Sequence, residues 1–126
     1  MPSGKPPEMV GMEPSEFHGA VPVDGYGPGF FRVGGKVSHG ALIVAGDGPR
    51  SWGGLDDLAG LLALAGQVDV LFLGLGPDMA PTPPGLAARL SAAGIMVEPM
   101  STPSAARSYN VTLSEGRRVA CALIPV

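Results

Sequence analysis

Apolar positions follow two rhythms along the chain. Between Ala20 and Pro49, short apolar runs alternate with turn residues: Ala20–Val23, then Asp24–Gly29, Phe30–Val33, Gly34–Lys36, Ala41–Val44 and Gly46–Pro49. Runs of this length predict antiparallel strands and hairpins, and Gly34-Gly35 supplies the positive φ that a two-residue hairpin turn demands. Past Gly54 the period lengthens. Leu55, Leu58, Leu61, Leu62 and Ala65 recur at helical spacing, with Asp56 and Asp57 in the first turn, where the helix dipole favours acid, and Gly66 as the stop. Val68–Leu73, broken only by Asp69, reads as a strand buried on both faces that runs out into Gly74-Leu75-Gly76-Pro77. Thr82-Pro83 pairs an N-cap with proline at the first helical position, and Leu86, Ala87, Leu90 and Ala93 carry the apolar stripe to Gly94. Ile95–Val97 predicts a second buried strand. Thr102-Pro103 repeats the start signal for a helix whose inner face holds Ala106, Tyr109, Asn110 and Leu113 and which ends at Gly116; Val119–Ile124 is the last strand. Strands and helices alternating at this spacing form right-handed parallel crossovers, so this part reads as a compact half of a doubly wound sheet.

Composition sharpens the division. Of 126 residues 20 are Gly and 14 are Pro, a level that marks low-complexity sequence when taken alone. Against disorder stand 45% hydrophobic residues, 15% charged residues and a net charge of -3. The breakers are uneven: 20 fall in the first 54 residues and 14 in the last 72. Residues 1–14 combine Pro, Gly, Ser and charge without periodicity and read as a flexible leader, leaving 15–126 as one α/β domain. Nothing in the leader has the apolar core of an export signal, and no apolar run has membrane-spanning length, so a cytoplasmic location is expected. Eight basic residues against eleven acidic ones leave no broad cationic surface for nucleic acid, although Arg107, Arg117 and Arg118 could form a local patch.

The chemistry-bearing residues are sparse. One cysteine, Cys121, excludes an internal disulfide, and two histidines, His18 and His39, in separate segments give no metal-ligand spacing, so neither a metal nor a cofactor is expected. Cys121 lies mid-strand among Ala120, Ala122 and Leu123 and reads as inert core. Gly74-Leu75-Gly76 follows a strand as a dinucleotide fingerprint would, with Glu98 at the end of the next strand as the ribose partner. Met79 occupies the place of the third glycine, and the prolines that follow delay the helix, so the turn reading is preferred. A second candidate is the crowding of Ser101, Thr102 and Ser104 at a helix start, at the carboxyl end of a strand, with Arg107 one turn on. Capping explains Thr102; a small anion at the same helix start is the alternative. Asn110 shares an apolar helix face and needs partners there, either in neighbouring loops or in a pocket with Tyr109. Trp52, the single Trp, reads as an anchor at the junction of the two textures.

The stretch from Val97 to Val126 resembles a widespread family of uncharacterised domains, the Mth938-type family, that includes mitochondrial respiratory complex I assembly factor 3. The resemblance extends to DGYGPGFFRVGG (24–35), PRSW (49–52) and VLFLGLG (70–76), and so covers about residues 15 to 126. A Met-x-Thr-x-x-Ala-x-Arg-x-Tyr-Asn pattern falls on Met100, Thr102, Ala105, Arg107, Tyr109 and Asn110, followed by Glu115, Gly116 and Arg117. Ser108 stands where Thr is usual, and Ser101 where an acid is common. The resemblance implies a three-layer α/β fold: a mixed central sheet, helices on its faces and an added N-terminal β-hairpin layer. It implies no established catalytic activity, and the mitochondrial member works with a partner assembly factor.

Two functional readings follow. The leading one is a small non-enzymatic module that binds a protein partner, in the manner of an assembly factor, with a homo-oligomer compatible with the sequence. The alternative is a small anionic-ligand binder, or an enzyme without a recognisable motif, using the loops at the carboxyl ends of the parallel strands: Gly74, Gly76, Ser101, Thr102, Arg107, Tyr109 and Asn110.

Overall fold

The computed structural model describes residues 17–126; the expected leader, residues 1–14, lies outside them. Eight strands and three helices follow in the order β1 (Val23–Gly27), β2 (Phe30–Val33), β3 (Lys36–His39), β4 (Leu42–Ala45), β5 (Gly48–Ser51), α1 (Leu58–Leu62), β6 (Val70–Gly74), α2 (Leu86–Ala92), β7 (Met96–Met100), α3 (Thr102–Ser114) and β8 (Val119–Leu123). The first three strands form a small antiparallel sheet, and the other five a mixed sheet of order β5-β4-β8-β6-β7. In the latter, β6 runs parallel to β7 and β8, while β4 runs antiparallel to β5 and β8.

Side chains from the two faces of this central sheet fill two cores. One face meets α1, the turn after it and α2 through Leu61, Leu64, Leu86 and Leu90, with Leu71, Leu73, Ala120 and Ala122 from the strands. The other meets α3 and the small sheet together, where Ala105, Ala106, Tyr109 and Leu113 pack with Val23, Phe31, Val33, Phe72 and Cys121. The result is the expected three-layer α/β architecture, with the small sheet sharing the layer of α3. Gly34 and Gly35 make the expected hairpin turn at φ 57° and 82°, so Val33 faces Lys36.

Several local expectations are corrected. The strand that was expected to end at Val23 instead begins there and runs through Tyr26, turning at Pro28-Gly29. Lys36 and Gly48-Pro49, expected as turn residues, instead open strands β3 (Lys36–His39) and β5 (Gly48–Ser51), both at sheet edges where packing asks little of their side chains. The second helix starts at Leu86 behind Gly85 in the left-handed region, not at Thr82-Pro83. Consecutive prolines at 83 and 84 hold the chain out of the helix until the Gly85 turn. Asp57 is the N-cap of α1, its carboxylate accepting from the Gly60 N–H at 3.0 Å, whereas a dipole role was expected. β7 is not buried on both faces: as an edge strand it leaves Met96, Glu98 and Pro99 exposed. Trp52 is buried beside α1, and its indole N–H donates to the Asp57 carbonyl at 3.0 Å.

The outer strands of the central sheet each carry a proline, Pro49 on β5 and Pro99 on β7. Proline lacks the N–H that an incoming strand would pair with, so both edges are blunted.

Candidate functional site

The carboxyl ends of β6, β7 and β8 meet the start of α3. Gly74 lets them approach: a Cβ there would lie 2.8 Å from both Cα and Oγ1 of Thr102 and 3.0 Å from a Leu123 methyl. Across this contact the Thr102 hydroxyl donates to the Ile124 carbonyl at 2.6 Å and accepts from the Gly76 N–H at 2.9 Å, while the Thr102 N–H donates to the Gly76 carbonyl at 2.7 Å. Gly76 turns the chain here at φ 107°. Ser101, not Thr102, is the N-cap: its Oγ accepts from the Ser104 N–H at 3.4 Å and donates to the Ser104 hydroxyl at 3.1 Å. Thr102 takes the first helical position because its side chain is needed by the strands behind it.

Helix starts attract anions through unpaired N–H groups. In α3 the N–H of Thr102 goes to Gly76, Pro103 has none, and those of Ser104 and Ala105 go to Ser101. The first turn is therefore satisfied within the chain.

Tyr109 and Asn110 turn away from that end, toward the small sheet. The Asn110 amide accepts from the Val23 N–H at 2.9 Å and donates to the Val23 carbonyl at 2.7 Å, pairing with β1 as a neighbouring strand would; the Tyr109 hydroxyl donates to the Val21 carbonyl at 2.7 Å. Burial pushes the Tyr109 phenol far above its ordinary range, and it does the same to the thiol of Cys121, which is fully enclosed in β8. Both groups are neutral.

The structure thus joins Gly74, Gly76, Ser101 and Thr102 at one junction and places Tyr109 and Asn110 at another. Arg107 belongs to neither. It projects from the exposed side of α3 into a groove of about 380 Å³ lined by Phe72, Glu98, Arg107, Ser108, Val111, Thr112 and Arg117. Phe72 is 6% exposed and Val111 39%. α3 lies over β6 and β8, so the face of β7 bearing Glu98 is left as the far wall. The expected arginine patch is divided, because Arg118 pairs with Asp69 at 2.8 Å and also donates to the Gly66 carbonyl. This ion pair holds the Asp69 carboxyl below its usual range.

Arg107 and Arg117 stand out in the sequence as a possible cationic patch, but Phe72 and Val111 do not stand out as their neighbours. Val111 carried a usable signal: it is apolar yet out of phase with the stripe Ala106, Tyr109 and Leu113. Among the described residues there is no cluster of metal-ligating side chains, and no helix is long and apolar enough to cross a membrane.

Fold and site define a three-layer α/β domain whose motif residues brace its layers, with open grooves on its surface, one of them beside Arg107. The chain belongs to the DUF498/DUF598 family, described as proteins of unknown function, whose model matches residues 23–124. It is 58% identical over 118 residues to an uncharacterised protein of Rhodobacter capsulatus, covering 94% of each chain. A crystal structure from Bordetella parapertussis is similar at TM-score 0.75 and 33% identity, over 85% of this chain and 97% of that one. A solution structure from Bordetella pertussis, described as a Mth938-like domain, is similar at TM-score 0.72 and 26% identity, over 99% and 92% of the two chains. The family expectation drawn from the C-terminal motif is met.

Proposed function

We propose that this protein is a non-enzymatic protein-binding module of the cytoplasm, with an assembly-factor-like role. The observation that supports it is the contrast on α3: the motif residues Thr102, Tyr109 and Asn110 are engaged with the main chain, while Arg107 and Val111 face solvent along one groove. A part-exposed apolar side chain beside arginine is a combination that protein interfaces favour. The buried thiol and phenol are sealed and neutral, which suits a structural role better than nucleophilic or acid-base work.

Tagged protein incubated in extract of its own cells tests this. A specific protein should be retained by the wild type and lost by Val111→Asp, with the melting temperature of the variant unchanged. A metabolite that raises the melting temperature by several degrees, with no protein retained, overturns the reading in favour of a ligand site.

A further inference from the structure

We propose that the groove between α3 and β7 takes an acidic segment of the partner protein, with an apolar side chain set between its carboxylates. This rests on the protein-binding reading above and adds the chemistry of the partner. Polar side chains line most of the groove; its apolar surface comes chiefly from Val111, 39% exposed, beside the nearly buried Phe72. The groove's cations are Arg107, on the exposed side of α3, and Arg117, which follows the helix where the chain turns back and its N–H donates to the Thr112 carbonyl. Like Arg32 and Arg89, neither arginine forms an ion pair among the described residues, whereas Arg50 and Arg118 pair with Asp47 and Asp69; Arg117 is near enough to Asp69 for its charge to help hold that carboxyl low. Guanidinium groups bind carboxylates through paired N–H donors, so two arginines beside an apolar seat fit a segment with acids on either side of one apolar residue.

Glu98 on the opposite wall gives the occupant a direction. Its charge repels carboxylates on the β7 side, so the acids of the partner lie against α3. Pro99 removes an N–H from β7, and recognition therefore proceeds through side chains and not by addition of a strand.

The test places a photo-cross-linking amino acid at Val111 in the full-length protein, and in a second sample at Val37, which is 49% exposed on the small sheet. Both are irradiated in extract of the protein's own cells, and the attached peptides are sequenced. The expected result is capture at Val111 of a peptide rich in Asp or Glu around an apolar residue. Capture should fall about tenfold in Arg107→Glu/Arg117→Glu and when salt is raised from about 0.05 to about 0.5 M. The Arg107→Lys/Arg117→Lys protein should keep part of it, which separates charge from loss of fold. A basic or uncharged peptide at Val111, or capture indifferent to charge reversal, overturns the proposal. Capture at Val37 alone overturns it while leaving protein binding intact; capture at neither position removes both.

Discussion

On the inner side of α3, Thr102, Tyr109 and Asn110 set their polar side-chain atoms against main-chain partners in three separate segments. On its outer side, Arg107 meets no acid among the described residues, and Val111 is part-exposed. One helix therefore carries two kinds of polar residue, and their satisfaction separates them. A buried polar group that lost its partner would destabilise the fold, so each inner residue is fixed by its partner's position. The outer residues carry no such constraint.

The strongest way to break this contrast is at Asn110. Asn110→Leu removes both bonds to Val23 and strands a buried N–H and carbonyl, so urea unfolding should show a loss of about 2–4 kcal/mol. Stability within about 0.5 kcal/mol of wild type would mean that the helix does not brace β1. Gly74→Ala comes next. Its methyl would collide with the backbone of Thr102, which cannot swing aside as a side-chain tip can, and an overpacking loss of about 1–3 kcal/mol is expected.

Alkaline pH probes the same inner face more gently. Tyr109 and Cys121 ionise in the unfolded chain near their ordinary values of 10.0 and 9.0 but stay protonated in the fold. Above those values the unfolded state binds fewer protons than the folded one, so stability falls as pH rises. It should be flat from about pH 6 to 8 and decline beyond about pH 9, by up to roughly 1.4 kcal/mol per pH unit for each group. Tyr109→Phe should lose about 1 kcal/mol at neutral pH and show a shallower alkaline decline. The smallest effect belongs to Arg107→Ala, expected within about 0.5 kcal/mol of wild type because the side chain is exposed and makes no ion pair among the described residues. A larger loss would move Arg107 to the structural side of the comparison.

Which of these features could be read in advance depended on range. The starts and stops of α3, the Gly34-Gly35 turn, and the apolar runs of β6 and β8 are signals within a few residues, and they were legible. Asn110 was recognisable as a polar residue needing a partner, but the partner, Val23, lies 87 residues away and only topology brings it there. β3 and β5 were missed because edge strands of four residues with Lys, Ser, Gly and Pro look like turns. The groove was missed because its far wall exists only once β7 is known to be an edge that α3 leaves uncovered. Arg107 was named for its distance from a helix start, yet its neighbours are set by how far that helix reaches across the sheet.

The order of strands has a consequence for how the chain is made. β4 is synthesised well before β8, its inner neighbour in the sheet, and β1 is braced by Asn110 of the helix that precedes β8. Until β8 has been made, β4 has only the hairpin with β5. Closure of the central sheet waits for that strand, and a contact of this sequence separation makes the closing step slow relative to local hairpins. A nascent chain stalled before Val119 should therefore remain protease-sensitive.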